Sequence, residues 1–214
     1  MQDELLCIKT CPFLCGNRDN AGKFNPVKPD GPTGSILAIG EAPGAKEIAN
    51  GNGFAGIAGR NLTRAFEEQG ILRENWARTN VVWCRPEKNG TNRKPSSLEV
   101  ESCRNNLEKT IKELKPHVIV VVGETAATAL GIYNKKTNGG WLPYILKCQS
   151  DFEREGVDAF HWHYCPVVPM PHSSPLSWNR SHNDRPIKEI GKTSLRIAAT
   201  IFLNPETLKK NRLA

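Results

Sequence analysis

Ser35-Ile36-Leu37-Ala38-Ile39-Gly40-Glu41-Ala42-Pro43-Gly44-Ala45-Lys46-Glu47 decides the fold. Its apolar half is unbroken and ends in a glycine, the pattern of a strand buried on both faces. The residues beyond Gly40 therefore sit where ligands bind in open α/β sheets, past the carboxyl end of a strand. Gly40 and Gly44 let backbone approach a ligand closely, Pro43 stiffens the turn, and Glu41 and Glu47 bring carboxylates into the same crevice.

Further along, Thr79 to Cys84 reads as a second strand running into Arg85-Pro86, and Val118 to Val122 as a third. Helices are expected between them, from about Arg60 to Gln69, stopped by Gly70, and from about Ser97 to Leu114, capped by Ser96 or Ser97 and stopped by Pro116. An Ala-rich helix ending near Leu130 comes after Gly123-Glu124-Thr125. Gly131 to Tyr164 shows no clear period, Val167 to Pro171 is the last apolar strand, and Ile187 to Phe202 is an amphipathic helix that should cover the sheet. Strand and helix thus alternate, which predicts an α/β fold with a mostly parallel sheet and helices on both faces. At 214 residues the chain is enough for a single domain, with residues 1–34 as an arm packed on it.

A net charge of +7 favours a polyanionic partner. No apolar run approaches the roughly 18 residues that span a bilayer. Met1-Gln2-Asp3-Glu4 is acidic and polar where a signal peptide would be basic and then apolar. A soluble, cytoplasmic protein is expected. In that compartment seven cysteines point to metal ligands, buried small side chains or catalytic groups rather than to disulfides. Cys7, Cys11 and Cys15 recur at steps of four in a segment with no core of its own. Such thiolates suit a metal or an iron-sulfur cluster, and the same spacing suits one apolar face of a helix.

Gly51-Asn52-Gly53-Phe54-Ala55-Gly56 matches G-x-G-x-x-G, but Ala49-Asn50 precedes it in place of a strand, so dinucleotide binding is not expected. Phe54 can lie flat against a planar ligand or plug the core. His161-x-His163-x-Cys165, read as one strand, places all three on one face without a fourth ligand, and no metal is expected there. His172, just past a strand end, falls on the same rim as Glu41 and Asn80.

Gly40-Glu41-Ala42-Pro43-Gly44 followed by Phe54, Thr79-Asn80, Cys84-Arg85-Pro86, Asn92-Arg93, Cys103 and His172 resembles the uracil-DNA glycosylase superfamily, in particular its iron-sulfur-containing family 4 branch. The resemblance spans about residues 5 to 202. It implies a three-layer α/β/α sandwich around a four-stranded, mostly parallel sheet, and hydrolysis of the bond joining uracil to deoxyribose, which leaves an abasic site. By the same resemblance Gly40, Ala42, Gly44, Glu47, Phe54 and Asn80 surround the base, with Phe54 stacked on it and the Asn80 amide reading its edge. His172 donates to a base oxygen, and Glu41 and Asn92 are candidates for placing water or favouring the cationic sugar. Arg93, Ser174 and Arg180 would face DNA, the partner of a protein expected to act as a monomer. A 4Fe-4S cluster, structural in role, would be held by Cys7, Cys11, Cys84 and Cys103, with Cys15 as a substitute for Cys7 or Cys11.

The sequence departs from the family's pattern at several points. Ala42 stands where typical uracil enzymes have Asp, and His172-Ser173-Ser174 where His-Pro-Ala is usual. Gly44 stands where typical uracil enzymes have a Tyr that crowds the pyrimidine C5 position, although family 4 members share this Gly and fill the space otherwise, with the equivalent of Glu47 as the candidate. Asn89-Gly90-Thr91 lengthens one loop. These changes make a C5-modified pyrimidine, for example a hypermodified base in viral DNA, the alternative substrate, and its excision would serve defence against foreign DNA. A non-catalytic DNA-binding module and a redox or structural iron-sulfur protein are the other classes.

Overall fold

The computed structural model describes residues 26–156, 161–162 and 165–204. The apolar run forms β1 (Ile36–Gly40), buried at every position. Helices α1 (Ala45–Asn50) and α2 (Ile57–Glu67) lead to β2 (Trp76–Asn80), after which β3 (Glu87–Lys88) and β4 (Thr91–Asn92) make a small hairpin. Next come α3 (Ser97–Leu114), β5 (Val118–Val122), and helices α4 (Glu124–Ala129), α5 (Lys135–Asn138) and α6 (Trp141–Glu155). The chain then forms β6 (His161–Trp162), β7 (Cys165–Met170), the short α7 (Pro175–Trp178), a hairpin of β8 (Ser181–His182) and β9 (Arg185–Pro186), and α8 (Ile187–Leu203).

The central sheet has the order β2-β1-β5-β7-β6. The first four are mutually parallel, with Ile36 opposite both Trp76 and Val118 and Ile119 opposite Val167, and β6 adds an antiparallel edge. Alternation along β1 splits the core. Ile36 and Ala38 pack with Phe66 of α2 and Leu195 of α8, whereas Leu37 and Ile39 pack with Leu107 and Ile111 of α3 and Ala126 of α4. Both faces are therefore covered, as a parallel sheet requires. The expected α/β sandwich is observed.

Several expected boundaries move. The second strand is Trp76–Asn80, not Thr79 to Cys84. Val81 to Cys84 are buried as the apolar pattern suggests, but they leave the ladder, with the amides of Val81 and Val82 donating to the carbonyls of Gly40 and Glu41 at 2.9 and 3.3 Å. The true strand was hidden by Arg78, a charge that a buried strand should not carry and that pairs with Asp30. Helix α2 begins earlier than expected, at Ile57, behind the extended N-cap Gly56. Helix α6 went unread because its buried stripe includes Gln149, whose amide donates to the carbonyl of Ile190 (2.8 Å) and to Ser194 Oγ (2.9 Å) of α8. His161 and Cys165 do not share a strand, because β6 and β7 run antiparallel with Trp162 opposite Cys165, and His163 lies outside the described residues. Among the described residues, no helix is long and apolar enough to cross a membrane.

Candidate active site

Four parallel strands end on the same edge, so the segments leaving them converge. There Gly40 and Glu41 from β1, Asn80 from β2 and His172 from beyond β7 line a cavity of about 590 Å³. Ala42, Gly44, Glu47 and Phe54 complete its floor and one wall, and Asn92, Arg93 and Ser174 stand on its rim. Arg180 is placed apart, in a neighbouring cavity of about 470 Å³ that shares Glu41, Lys94 and His172 with the first. Glu41, Lys94 and His172 thus border both recesses.

The floor is built without side chains where it must be. A Cβ on Gly40 would lie 2.5 Å from Asn80 Oδ1 and 2.9 Å from Phe54 Cζ. Asn80 is buried at 4% exposure and Phe54 is half-buried, edge-on to Trp76 with ring centroids 6.0 Å apart. The Phe54 backbone has φ 58°, a left-handed conformation uncommon for an aromatic residue, and it is admitted because Gly59 has no Cβ to strike it. Arg73 supports the same loop. Its Nη2 donates to the Gly53 carbonyl at 2.9 Å while its guanidinium lies 4.2 Å above the Trp76 ring. Burial, aided by neighbouring Arg78, lowers its pKa to about 10, which leaves it charged at neutral pH.

Glu47 ties two loops together. Its Oε2 accepts from the Gly44 amide at 3.0 Å and its Oε1 from the Gly56 amide at 2.7 Å. Both oxygens are engaged with backbone, so this carboxylate shapes the wall.

His172 is the chemically poised group. Its Nδ1 accepts from the Ser174 amide at 3.2 Å, which places the hydrogen of the neutral ring on Nε2. The surrounding protein mass pushes its pKa below the ordinary histidine value, and the nearby Glu41 charge only partly opposes this. The ring remains in contact with solvent through the cavity mouth, so the shift arises from crowding around the recess and not from full enclosure. Glu41 in turn accepts, through Oε2, a hydrogen bond from the Thr125 hydroxyl.

On the rim, Asn92 Oδ1 accepts from Arg85 Nε at 2.6 Å, and its Nδ2 would stand 3.0 Å from a Cβ on Gly44. The two guanidinium nitrogens of Arg93 form a fork with Glu99, at 2.8 and 2.5 Å. That pairing, reinforced by Ser96, holds the buried Glu99 carboxyl below the usual carboxylate range. Exposed Lys94 lines both recesses, and Leu176, 83% exposed, stands on the short helix α7 just beyond His172. Neither was singled out from sequence, since an exposed lysine or leucine carries no signal until its place is known.

Cys84 and Cys103 are both buried, at 4% and 2% exposure, within one packing cluster. They come from the segment after β2 and from α3, so the fold brings together two soft donors distant in sequence. That fits half of a thiolate ligand set. Cys7, Cys11 and Cys15 lie outside the described residues.

This sheet and strand-end cavity accompany a match of residues 29–192 to the family model for the uracil DNA glycosylase superfamily, and the chain belongs to that superfamily. Curated relatives include the type-4 uracil-DNA glycosylase of Pyrobaculum aerophilum, 43% identical over 95 residues (44% of this chain, 47% of the relative). That of Saccharolobus solfataricus is 40% identical over 96 residues (44% and 43%), and that of Sulfurisphaera tokodaii 36% identical over 125 residues (58% and 53%). The chain spans about half the length of the curated relatives it matches.

Proposed function

We propose that this protein is a monofunctional DNA glycosylase that draws a pyrimidine, foremost uracil, out of DNA and hydrolyses its N-glycosidic bond. The observation that carries this reading is the convergence of four chemically distinct groups on one cavity: the Phe54 ring, the Asn80 amide, the neutral His172 imidazole and the Glu41 carboxylate. A planar base needs a face to stack on and an edge partner that both donates and accepts, which Phe54 and Asn80 supply. Similarity to relatives named type-4 uracil-DNA glycosylase favours uracil as that base.

Breaking the bond sends its electron pair to the base, so negative charge grows on the pyrimidine and positive charge on the sugar. His172 Nε2–H is aimed to donate to a base oxygen as that charge develops, and its lowered pKa keeps it neutral so that it stabilises the anion without protonating it first. In this reading Glu41, which borders both recesses, faces the sugar. Its carboxylate favours the oxocarbenium character there and orients the water that adds to the anomeric carbon, with Asn92 on the rim as the second polar contact.

Extrusion leaves a gap in the base stack. Exposed Leu176 beside His172 is the side chain suited to fill it. Lys94, Ser174 and Arg180 line the path along which the strand would run, and the net charge of +7 favours its phosphates. The protein acts in this reading as an intracellular monomer. A 4Fe-4S cluster, where bound, would be held by Cys84, Cys103 and two of Cys7, Cys11 and Cys15. It would fasten the N-terminal arm covalently and would take no part in the hydrolysis.

A second reading rests on the Gly44 wall. It carries no side chain, and the Glu47 carboxylate and Asn92 amide stand at 2.9 and 3.0 Å from the position of a Cβ there. A wall closed by these polar groups, with no aromatic side chain at Gly44 against the base, favours a C5-modified pyrimidine with a hydrogen-bonding substituent. Alkali-induced strand cleavage of labelled DNA with one uracil, beside matched DNA with a C5-modified pyrimidine, separates the readings. Cleavage at uracil supports the first, cleavage confined to the modified base supports the second, and cleavage of neither overturns glycosylase function.

A further inference from the structure

Glu41 borders two recesses on a flexible stem, and a carboxylate so placed has no inherent reason to point at the sugar. Across from it lies the turn that leaves β5. The β1–β5 register, Ile39 beside Val121, sets the two strand exits side by side. Gly123 turns the chain with φ +99°, and the first turn of α4 then presents Thr125, only 9% exposed, toward Glu41. The contact joins residues 84 apart in sequence. An ionised carboxylate only accepts, so the hydroxyl must donate, and its donation fixes Oε2. The same turn runs beside His172: a Cβ added to Gly123 would come within 3.5 Å of the imidazole Cδ2.

We infer that Thr125 is a positioning residue for hydrolysis: its hydroxyl ties down Glu41 Oε2, so that Oε1 alone addresses the sugar and the attacking water. A threonine is suited to this, because its branched Cβ restricts χ1 to a few rotamers and one of them directs the hydroxyl at Glu41. The inference rests on the glycosylase reading of the cavity. Without Thr125 the Glu41 side chain distributes among rotamers facing either recess, and the fraction aligned for reaction falls. Base binding depends on Phe54 and Asn80 and is left alone.

The test compares wild type, Thr125→Val, Thr125→Ser, Glu41→Gln and the Thr125→Val/Glu41→Gln double variant in single-turnover excision from uracil-containing DNA. A misaligned carboxylate is expected to cost about 10- to 100-fold in rate, because small misplacements at a reacting centre carry penalties of that size. Thr125→Val should show this loss with DNA affinity unchanged. Thr125→Ser should recover most of the rate, and Thr125→Val should add little in the Glu41→Gln background. A Thr125→Val rate equal to wild type, or the same loss with and without Glu41, overturns the inference while the glycosylase reading stands. Inactive wild type overturns that reading instead. A crystal structure of Thr125→Val decides the positioning itself in either case: the Glu41 carboxylate should leave its wild-type orientation, and an unmoved carboxylate contradicts the inference.

Discussion

In the proposed mechanism the tautomer and charge of His172 set which group can donate to the base. The Ser174 amide occupies Nδ1 and leaves Nε2 as the donor, and protonation would break this arrangement by turning Nδ1 into a competing donor. The lowered pKa sets the sign of the pH effect. Between that folded-state value and the ordinary value of about 6.5, the unfolded chain binds more protons at this site than the folded one. Stability contributed by His172 therefore falls as pH drops through 6.5, while excision by neutral His172 persists below it. An NMR titration of the ring should give a midpoint below 6.5, and a midpoint above it would contradict the proposed donor state. Gly40 is the second decisive position. Gly40→Ala must displace Asn80 or Phe54, and overpacking of this kind costs about 1–3 kcal/mol. Thermal melting should show that loss alongside a drop of about 100-fold in single-turnover rate, as expected when base-positioning groups shift by about 1 Å. An unchanged rate would show that neither side chain places the base.

At the scale of elements, the strand exits position the chemistry and the β3–β4 hairpin sets the rim. Asn89 and Gly90 adopt left-handed φ of 52° and 75°, the tight turn an Asn-Gly pair favours, so the inserted residues form a hairpin and not a loose loop. Arg93 anchors it to Glu99, which also completes the capping box of α3 with Ser96. Glu99 has its pKa lowered in the folded state, so this support is present above the unfolded carboxylate value and is lost as pH falls through the folded one. Arg93→Ala should destabilise by about 1–3 kcal/mol, the range for charge-assisted hydrogen bonds with allowance for the partly exposed arginine. Urea unfolding at neutral pH should show the deficit, and it should shrink in acid as Glu99 protonates. An equal deficit at both pH values would contradict the ion pair as its source.

The elements also show what sequence can reveal. β1 and β5 were legible because a run of buried apolar residues has one simple explanation, whereas His172, Asn80 and Phe54 received their roles through the family resemblance, and the structure brings them to one cavity. β2 was misplaced by a charge inside it and apolar residues beyond it. Helix α6 was hidden by Gln149 in its buried stripe. Thr125 carries no signal at all, since its importance exists only once β1 and β5 are paired.

For the whole molecule, the sheet holds the cavity at its strand ends. Cys84 and Cys103 both belong to the core cluster on the α3 side of the sheet. If a cluster joins them to the N-terminal arm, Cys84→Ala and Cys103→Ala should each lower bound iron and the thermal midpoint together. Unchanged iron content in both variants would contradict this ligand assignment. The central claim is that one cavity at the strand ends breaks the glycosidic bond with His172 as donor. Its most direct measurement is mass-spectrometric detection of free base and abasic DNA in single turnovers of uracil-containing DNA by wild type and His172→Ala, with melting curves to confirm folding. Wild type should release uracil, and His172→Ala should lose about 100- to 1,000-fold in rate, the effect of removing one preorganised donor, while melting like the wild type. Release by folded His172→Ala at the wild-type rate, or no release of base by wild type, would contradict it.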